Sequence, residues 1–173
     1  RQQMIIREEI ELRIKKVLDS GKYIMGPEIV ELEEKLADYV GIQHCITCSS
    51  GTDALLMPLM AQGIGPGDAV ITTPFTFIAT AEVIKLVGAT PVFADICENT
   101  FNINPERIPD AIEYAKNQGL NPKAIIPVDL FGLPAPYQEI EKTAAENGLF
   151  VLEDAAQGFG GEISTRKACI FGH

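Results

Sequence analysis

The 173-residue sequence is poor in basic residues. It has 14 lysines and arginines against 24 aspartates and glutamates, which gives a formal net charge of −10. A nucleic-acid-binding protein needs a basic face to neutralise the phosphate backbone. The charge balance therefore argues against a nucleic-acid partner. It does not argue against an anionic ligand that backbone N–H groups hold locally.

Long apolar runs are also missing. No stretch approaches the roughly 20 apolar residues that a membrane-spanning helix needs, and the first residues contain no apolar signal region. We therefore expect a soluble, cytoplasmic protein with no membrane partner. With 46% hydrophobic and 22% charged residues, the composition is typical of a folded chain.

Residues that ligate metals are few, since the sequence has two histidines and four cysteines. Cys45 and Cys48 have the C-x-x-C spacing, but the apolar run around them is typical of a strand. On a strand their side chains would point to opposite faces. No second pair at zinc spacing follows. We predict no metal site, and we interpret the thiols as small buried side chains in a reducing compartment.

The two glycine-rich signatures of nucleotide sites, G-x-x-x-x-G-K-[ST] and G-x-G-x-x-G, are absent. A nucleoside triphosphatase or a dinucleotide-binding protein is therefore disfavoured. Internal repeats, low-complexity segments and linkers are absent as well, which predicts a single domain.

Apolar residues recur at helical spacing over the first 40 positions. We predict one helix through Ile6, Ile10 and Ile14 that ends at Ser20-Gly21, and a second helix that begins at Pro27 and is closed by Gly41. Short apolar segments then alternate with helical stretches. The predicted strands cover residues 44–48, 69–72, 90–94, 123–128 and 149–152, and the predicted helices cover residues 52–62, 78–86, 105–117 and 136–147.

This alternation predicts an α/β fold with three layers, in which helices cover both faces of a mostly parallel sheet. Pro58 and Pro109 fall inside predicted helices. We expect each proline to kink or shorten its helix, because proline lacks an N–H group and clashes with the preceding turn.

Three chemically distinctive segments each follow a predicted strand. Ser50, Gly51 and Thr52 open a helix, where N–H groups suit a phosphate, although a plain N-cap explains them equally well. Phe75 or Phe77 could stack on a flat ring or belong to the core. Asp154 could pair with a cationic ring nitrogen, as in enzymes that use pyridoxal 5′-phosphate (PLP), or cap a turn. Because the carboxyl ends of parallel strands share one edge, we expect the three segments to form a site for a flat, phosphorylated, cationic ring.

Five blocks of the sequence, taken in order, resemble the DegT/StrS-type nucleotide-sugar aminotransferases. They are Ser20-Gly-Lys-Tyr-Ile-Met-Gly-Pro27, Ser49-Ser-Gly-Thr-Asp-Ala-Leu55, Gly63-Ile-Gly-Pro-Gly-Asp68, Phe75-Thr-Phe-Ile-Ala-Thr80 and Glu153-Asp-Ala-Ala-Gln157. The resemblance extends over nearly all 173 residues. It implies a truncated large domain of a fold-type-I PLP enzyme, with residues 1–41 as an N-terminal helical segment and residues 42–173 as the PLP-binding part.

The resemblance also implies roles for matching residues. Six of them would contact PLP: Gly51, Thr52 and Asp53 at its phosphate, Phe77 on its pyridine ring, Asp154 at the ring nitrogen and Gln157 near the phenolic oxygen. Gly21 and Tyr23 match positions that contact the nucleotide sugar in the subgroup that acts on UDP-linked 3-keto-hexuronic acids.

The activity that the resemblance implies is transfer of an amino group from glutamate to a keto nucleotide sugar, in the biosynthesis of cell-surface polysaccharide such as lipopolysaccharide. The enzyme would be a homodimer with an active site shared between subunits. Family members continue beyond this sequence to the lysine that forms the Schiff base, so we expect these 173 residues to be inactive alone. Two alternatives stay open: a PLP-dependent sugar dehydratase with histidine in place of that lysine, or a non-catalytic regulatory or binding relative.

Overall fold

The computed structural model describes residues 2–172. The chain divides into two compact units, Arg1–Thr47 and Cys48–His173. The first unit contains helices α1 (Gln2–Ser20) and α2 (Pro27–Val40). Pro27 lies in the first turn of α2, where its missing N–H group costs nothing. At the other end, Gly41 has a left-handed φ of 87°, and its N–H group donates to Ala37 O at 2.8 Å. Both predicted helices are confirmed.

The strand predicted at residues 44–48 is wrong. A strand exists only where a neighbouring backbone pairs with it, and among the described residues this segment pairs with none. The Thr47 N–H group and hydroxyl instead donate to Oε1 of Glu33, both at 2.8 Å. The argument that Cys45 and Cys48 face opposite sides of a strand therefore no longer applies.

The second unit contains a parallel four-stranded sheet of order β2-β1-β3-β4. Its strands are β1 (Asp68–Thr72), β2 (Thr90–Phe93), β3 (Asn121–Ile126) and β4 (Phe150–Val151). The helices between and before them are α3 (Gly51–Ala61), α4 (Ile78–Leu86), α5 (Ile108–Asn117) and α6 (Tyr137–Asn147), with 3-10 turns at Pro105–Arg107 and Leu130–Gly132. A short antiparallel hairpin, β5 (Glu162–Ile163) and β6 (Arg166–Lys167), follows.

Side chains that alternate along the strands fill two separate cores. Ala69 and Ile71 of β1 pack with residues of α5 and α6 on one face of the sheet. Val70, between them, packs with residues of α3 and α4 on the other face. The three-layer α/β architecture is therefore confirmed.

The two helix-interior prolines behave differently. Pro109 lies in the first turn of α5, and the predicted helix 105–117 is split there into a 3-10 turn and α5, as expected. Helix α3 continues through Pro58 to Ala61, and the Gln62 N–H group donates to Pro58 O at 2.9 Å. Pro58 cannot donate to Ala54 O in the preceding turn, yet it does not end the helix. Within residues 2–172, no helix combines the length and apolar character that crossing a bilayer requires.

Candidate active site

The polypeptide beyond β3 and β4 continues the parallel pairing for a few residues. The Asp154 N–H group donates to Pro127 O at 2.9 Å, and the Asp129 N–H group donates to Asp154 O at 3.0 Å. Val128 and Asp154 form a parallel bridge. These bonds fix Asp154 at the carboxyl edge of the sheet, where the sequence predicted it.

The Asp154 side chain is buried, with 6% of its surface exposed. Its Oδ2 accepts a hydrogen bond from the Thr80 hydroxyl at 2.8 Å, and its Oδ1 accepts from the Ala156 N–H group at 3.3 Å. Thr80 is fully buried in the first turn of α4, and its hydroxyl oxygen lies 2.9 Å from that of Thr76. The carboxylate is thus held in one orientation, and its oxygens keep lone pairs for a further donor.

The sequence did not identify Thr80 as a partner of Asp154. The two residues are 74 positions apart, and no local pattern marks a contact at that separation. The hydrogen bond joins the start of α4 to the end of β4. It therefore brings the residue that precedes α4, Phe77, to the same edge of the sheet as Asp154.

Phe77 is the N-cap residue of α4, and its side chain is 75% exposed. Phe75 is also exposed, and it lies in an aromatic cluster with Phe101 and Phe131, at centroid distances of 5.6 and 6.4 Å. Neither Phe75 nor Phe77 is a core residue. Both rings are accessible to a flat ligand, and of the two only Phe77 caps the helix that contacts Asp154.

The start of α3 carries an elaborate N-cap. The Ser50 hydroxyl accepts from the Asp53 N–H group at 3.1 Å and donates to Asp53 Oδ2 at 2.9 Å, and the Ser49 hydroxyl also donates to that oxygen. These hydroxyl bonds lower the pKa of Asp53. Both the backbone N–H group and the carboxylate of Asp53 are therefore engaged in the cap.

Gly51 and Thr52 occupy the first turn of α3, so their N–H groups have no acceptor within the helix. A Cβ atom added at Gly51 would meet nothing within 4 Å. This end of the helix is open and presents N–H donors to any anion that reaches it. Because residues 44–48 form no strand, the rule that placed Gly51 on the edge of Asp154 does not apply, and no described hydrogen bond joins Gly51 to Asp154 or Phe77.

Gln157 lies beyond Asp154, and its side chain is tied to the turn that follows β3. The Phe131 N–H group donates to Gln157 Oε1 at 2.8 Å. Gly21 and Tyr23 belong to the first unit. Gly21 has a φ of 66° and donates its N–H group to Val17 O, and Tyr23 is 65% exposed.

Two further carboxyl groups lie at this edge, Asp129 and Glu153, and of the two the sequence did not single out Asp129. Asp129 is fully buried, and its Oδ1 accepts from the Ala135 N–H group at 3.0 Å and the Tyr137 hydroxyl at 2.8 Å. Its Oδ2 has no hydrogen-bond partner among the described residues. Glu153 accepts from the N–H groups of Cys169 at 2.7 Å and Phe171 at 2.8 Å.

Burial raises the pKa of Asp129 above its ordinary value. Burial also raises the pKa of Glu153 to about 8, and the neighbouring Asp129 carboxyl adds to this rise. Three acidic residues at one edge therefore have distinct surroundings: Asp154 faces Thr80, Glu153 binds the backbone of the 169–171 segment, and Asp129 anchors Tyr137. The sequence alone separated Asp154 from Glu153 only through the family resemblance, and it gave no sign of Asp129.

Known proteins resemble this chain closely. Residues 4–173 match the model of the DegT/DnrJ/EryC1/StrS aminotransferase family. The chain is 46% identical over 168 residues to UDP-2-acetamido-2-deoxy-3-oxo-D-glucuronate aminotransferase from Pseudomonas aeruginosa, an alignment that covers 97% of this chain and 45% of that protein.

Solved structures agree with the sequence match. A DegT DnrJ EryC1 StrS aminotransferase from Brucella abortus superposes with a TM-score of 0.97 at 51% identity, covering 99% of this chain and 46% of that one. NtdA from Bacillus subtilis, solved with bound cofactor PMP, superposes with a TM-score of 0.82 at 37% identity, covering 88% and 34%. The chain thus spans less than half the length of each of these relatives.

Proposed function

The chain belongs to the DegT/DnrJ/EryC1/StrS aminotransferase family, and from this premise we propose that it forms the cofactor-binding part of a PLP-dependent aminotransferase for a keto nucleotide sugar. The observation that carries the proposal is the buried carboxylate of Asp154, held by Thr80 at the carboxyl edge of the sheet with the exposed ring of Phe77 on the same edge.

The residues fit the chemistry of PLP, which has a cationic ring nitrogen, a flat ring and a phosphate. An oriented carboxylate suits the nitrogen, and an exposed phenylalanine suits the ring. The uncapped N–H groups of Gly51 and Thr52, with the Thr52 hydroxyl, suit the phosphate. Because Asp53 is engaged in the N-cap, we propose that it shapes this cradle and that Gly51 and Thr52 donate to the phosphate.

When bound, PLP supplies an electron sink for the carbon that carries the amino group. Asp154 would keep the proton on the ring nitrogen, and Thr80 would hold Asp154 in place for that task. Phe77 would hold the ring flat against the edge of the sheet. Gln157 would approach the phenolic oxygen. The lysine that forms the Schiff base is expected outside these 173 residues.

We further propose that the substrate is a UDP-linked 3-keto-hexuronic acid and that glutamate is the amino donor. The substrate named for the Pseudomonas aeruginosa relative supports the first part of this proposal. Gly21 and Tyr23 would contact the nucleotide sugar. The role in cell-surface polysaccharide biosynthesis, the cytoplasmic location and the homodimer with shared active sites stay predictions.

The test is an amination assay of the full-length protein with PLP, glutamate and a panel of keto nucleotide sugars, with the product identified by mass. We expect an amino sugar from the UDP-linked 3-keto-hexuronic acid. Asp154→Asn should reduce turnover by about 100-fold, which corresponds to about 2.7 kcal/mol and lies within the range for a hydrogen bond to a charged group.

Two matched variants serve as controls. Asp95→Asn changes an exposed aspartate that follows the neighbouring strand β2. Its carboxylate accepts from the Ile96 N–H group, a role that the amide oxygen of asparagine can take, so turnover should not change. Glu153→Gln should reduce turnover less than Asp154→Asn, because Glu153 binds the backbone of the 169–171 segment. Near-normal turnover of Asp154→Asn would show that Asp154 only caps a turn.

A further inference from the structure

The turn Leu130–Gly132 contains a backbone conformation that its sequence does not favour. Phe131 has φ 57° and ψ 17°, in the left-handed region that a residue with a side chain rarely adopts. Gly132 follows with a φ of 88°, a conformation that suits glycine. The first left-handed position of the turn, however, is occupied by phenylalanine. Such a conformation persists only where the surroundings hold it, and it directs the next backbone N–H group in an unusual way.

Asn102 holds this turn at both ends. Its Oδ1 accepts from the Leu130 N–H group at 3.1 Å, and its Nδ2 donates to Leu133 O at 2.9 Å. Only 1% of its surface is exposed. A single buried amide therefore fixes the residue before Phe131 and the residue two after it. The two hydrogen bonds join residues that are 28 and 31 positions apart, so no local sequence pattern predicts them.

The clamped turn presents one N–H group to the candidate active site. The Phe131 N–H group donates to Gln157 at 2.8 Å. Of the two polar atoms of a side-chain amide, only the oxygen accepts hydrogen bonds. The Phe131 N–H group therefore fixes the Gln157 amide with Oε1 toward Phe131. The Nε2 group of Gln157 therefore points away from the Phe131 N–H group. Within residues 2–172, no described hydrogen bond has Nε2 as its donor.

We propose that Asn102 is a positioning residue for the cofactor: through the Leu130–Gly132 turn and the Phe131 N–H group, it fixes the Gln157 amide with Nε2 as a donor to the phenolic oxygen. This inference rests on the proposed function. The phenolic oxygen carries negative charge and needs a donor. The C=O and NH₂ groups of a glutamine amide have nearly the same shape. Without the Phe131 contact, the amide could therefore flip and turn Oε1 toward the phenolic oxygen, which Oε1 would repel.

The test is a pH titration of the visible absorption of PLP bound to the full-length protein. A donor on the phenolic oxygen stabilises its negative charge, which increases when the bound chromophore loses its proton. Loss of the donor therefore raises the midpoint pH. We expect Gln157→Ala to raise the midpoint by about one pH unit, the size expected for one hydrogen bond to a charged group. We expect Asn102→Ala to raise the midpoint in the same direction.

The double variant distinguishes positioning from a structural role. If Asn102 acts through Gln157, then Asn102→Ala adds nothing to the midpoint shift in the Gln157→Ala background. Additive shifts, or an unchanged midpoint in Asn102→Ala alone, would overturn the proposal. If Asn102→Ala does not fold, Asn102→Leu carries the same test, because leucine has nearly the shape of asparagine, adds no charge and can make neither hydrogen bond.

A second readout needs no cofactor. In the PLP-free full-length protein, the Phe131 amide should be protected from hydrogen exchange in the wild type and should lose protection in Asn102→Ala and Gln157→Ala. Equal protection in all three proteins would also overturn the proposal. If the wild type shows this protection but binds no PLP, the clamp is present and the proposed function fails instead.

Discussion

Neighbouring carboxyl groups have different surroundings at the carboxyl edge of this sheet. Asp154 is held by the hydroxyl of Thr80, whereas Glu153, its neighbour in sequence, accepts from two backbone N–H groups on the opposite side of the chain. Alternation along an extended backbone separates the two carboxylates. This separation is the physical reason why we propose Asp154, and not Glu153, as the partner of the cofactor.

Thr80→Val tests how Asp154 is held. Valine has nearly the same shape but cannot donate, so Asp154 Oδ2 loses its hydroxyl partner inside a buried site. We expect the free energy of unfolding to fall by about 1–3 kcal/mol, the cost of an unsatisfied buried polar group. Weaker PLP binding should accompany this loss. The measurement is urea denaturation together with a PLP titration of the full-length protein.

Thr90→Val is the matched control, since Thr90 is half-buried in β2 and its hydroxyl makes no described hydrogen bond. Its effect on both quantities should be small. If the two valine variants behave alike, the Thr80 hydroxyl has no special part in the site.

Asp129 and Glu153 predict a pH dependence of stability. Burial raises the folded-state pKa of Glu153 to about 8, above its ordinary value. The folded protein therefore binds more protons than the unfolded chain between about pH 5 and pH 8, and this contribution to stability is lost as the pH rises through that window. Asp129→Asn removes the charge next to Glu153 and keeps an oxygen that accepts from Ala135 and Tyr137. The free energy of unfolding should therefore fall less steeply with pH in this variant.

Thermal unfolding of the wild type and Asp129→Asn at pH 5, 6.5 and 8 gives the comparison. We expect the variant to lose less stability than the wild type over this range. Parallel curves for the two proteins would contradict the assignment of a raised pKa to this pair.

At the scale of helices and strands, the ends of elements depend on specific backbone geometry. Gly41 closes α2 with a φ of 87°, and a Cβ there would meet no neighbouring atom within 4 Å. Gly41→Ala should therefore cost only the backbone strain, about 1–2 kcal/mol. Urea denaturation of the full-length protein measures this loss.

Gly51→Ala is the counterpart, because Gly51 also faces open space but lies in the first turn of α3 with an ordinary φ. It should leave stability nearly unchanged. Equal losses for the two glycines would show that the left-handed conformation at Gly41 carries no strain.

The elements themselves were predictable where a local pattern determines them. Helices α2 and α4 and the strands β1 and β2 agree with the predicted boundaries to within about a residue. These segments combine helical or alternating periodicity with clear glycine or proline boundaries. The segment 44–48 has the composition of a strand but lacks a partner, and composition cannot reveal a partner.

The candidate site shows the same limit. Asp154 could be found from the sequence because it lies shortly after a predicted strand, and the family resemblance selected Phe77 over Phe75. Thr80, Asn102 and Asp129 could not be found, because their partners lie 74, 28 and 8 positions away and depend on the complete fold. The residues that we propose to contact the cofactor were predicted from the sequence, and the residues that hold them in place were not.

At the scale of the whole molecule, the net charge of −10 does not favour an anionic ligand. The proposed phosphate site must therefore depend on local groups. The overall field repels a phosphate, so binding would depend on N–H groups at the start of α3 and on Asp154 at the ring nitrogen. The chain matches less than half the length of its relatives, and the proposed activity belongs to the full-length protein.

The most direct test of the central claim is an absorption titration of the full-length protein with PLP. We predict a saturable visible band distinct from that of free PLP, and loss of the band or much weaker saturation in Asp154→Asn, with Asp95→Asn behaving like the wild type. A wild-type spectrum that equals the sum of free protein and free PLP at saturating concentration would contradict the account.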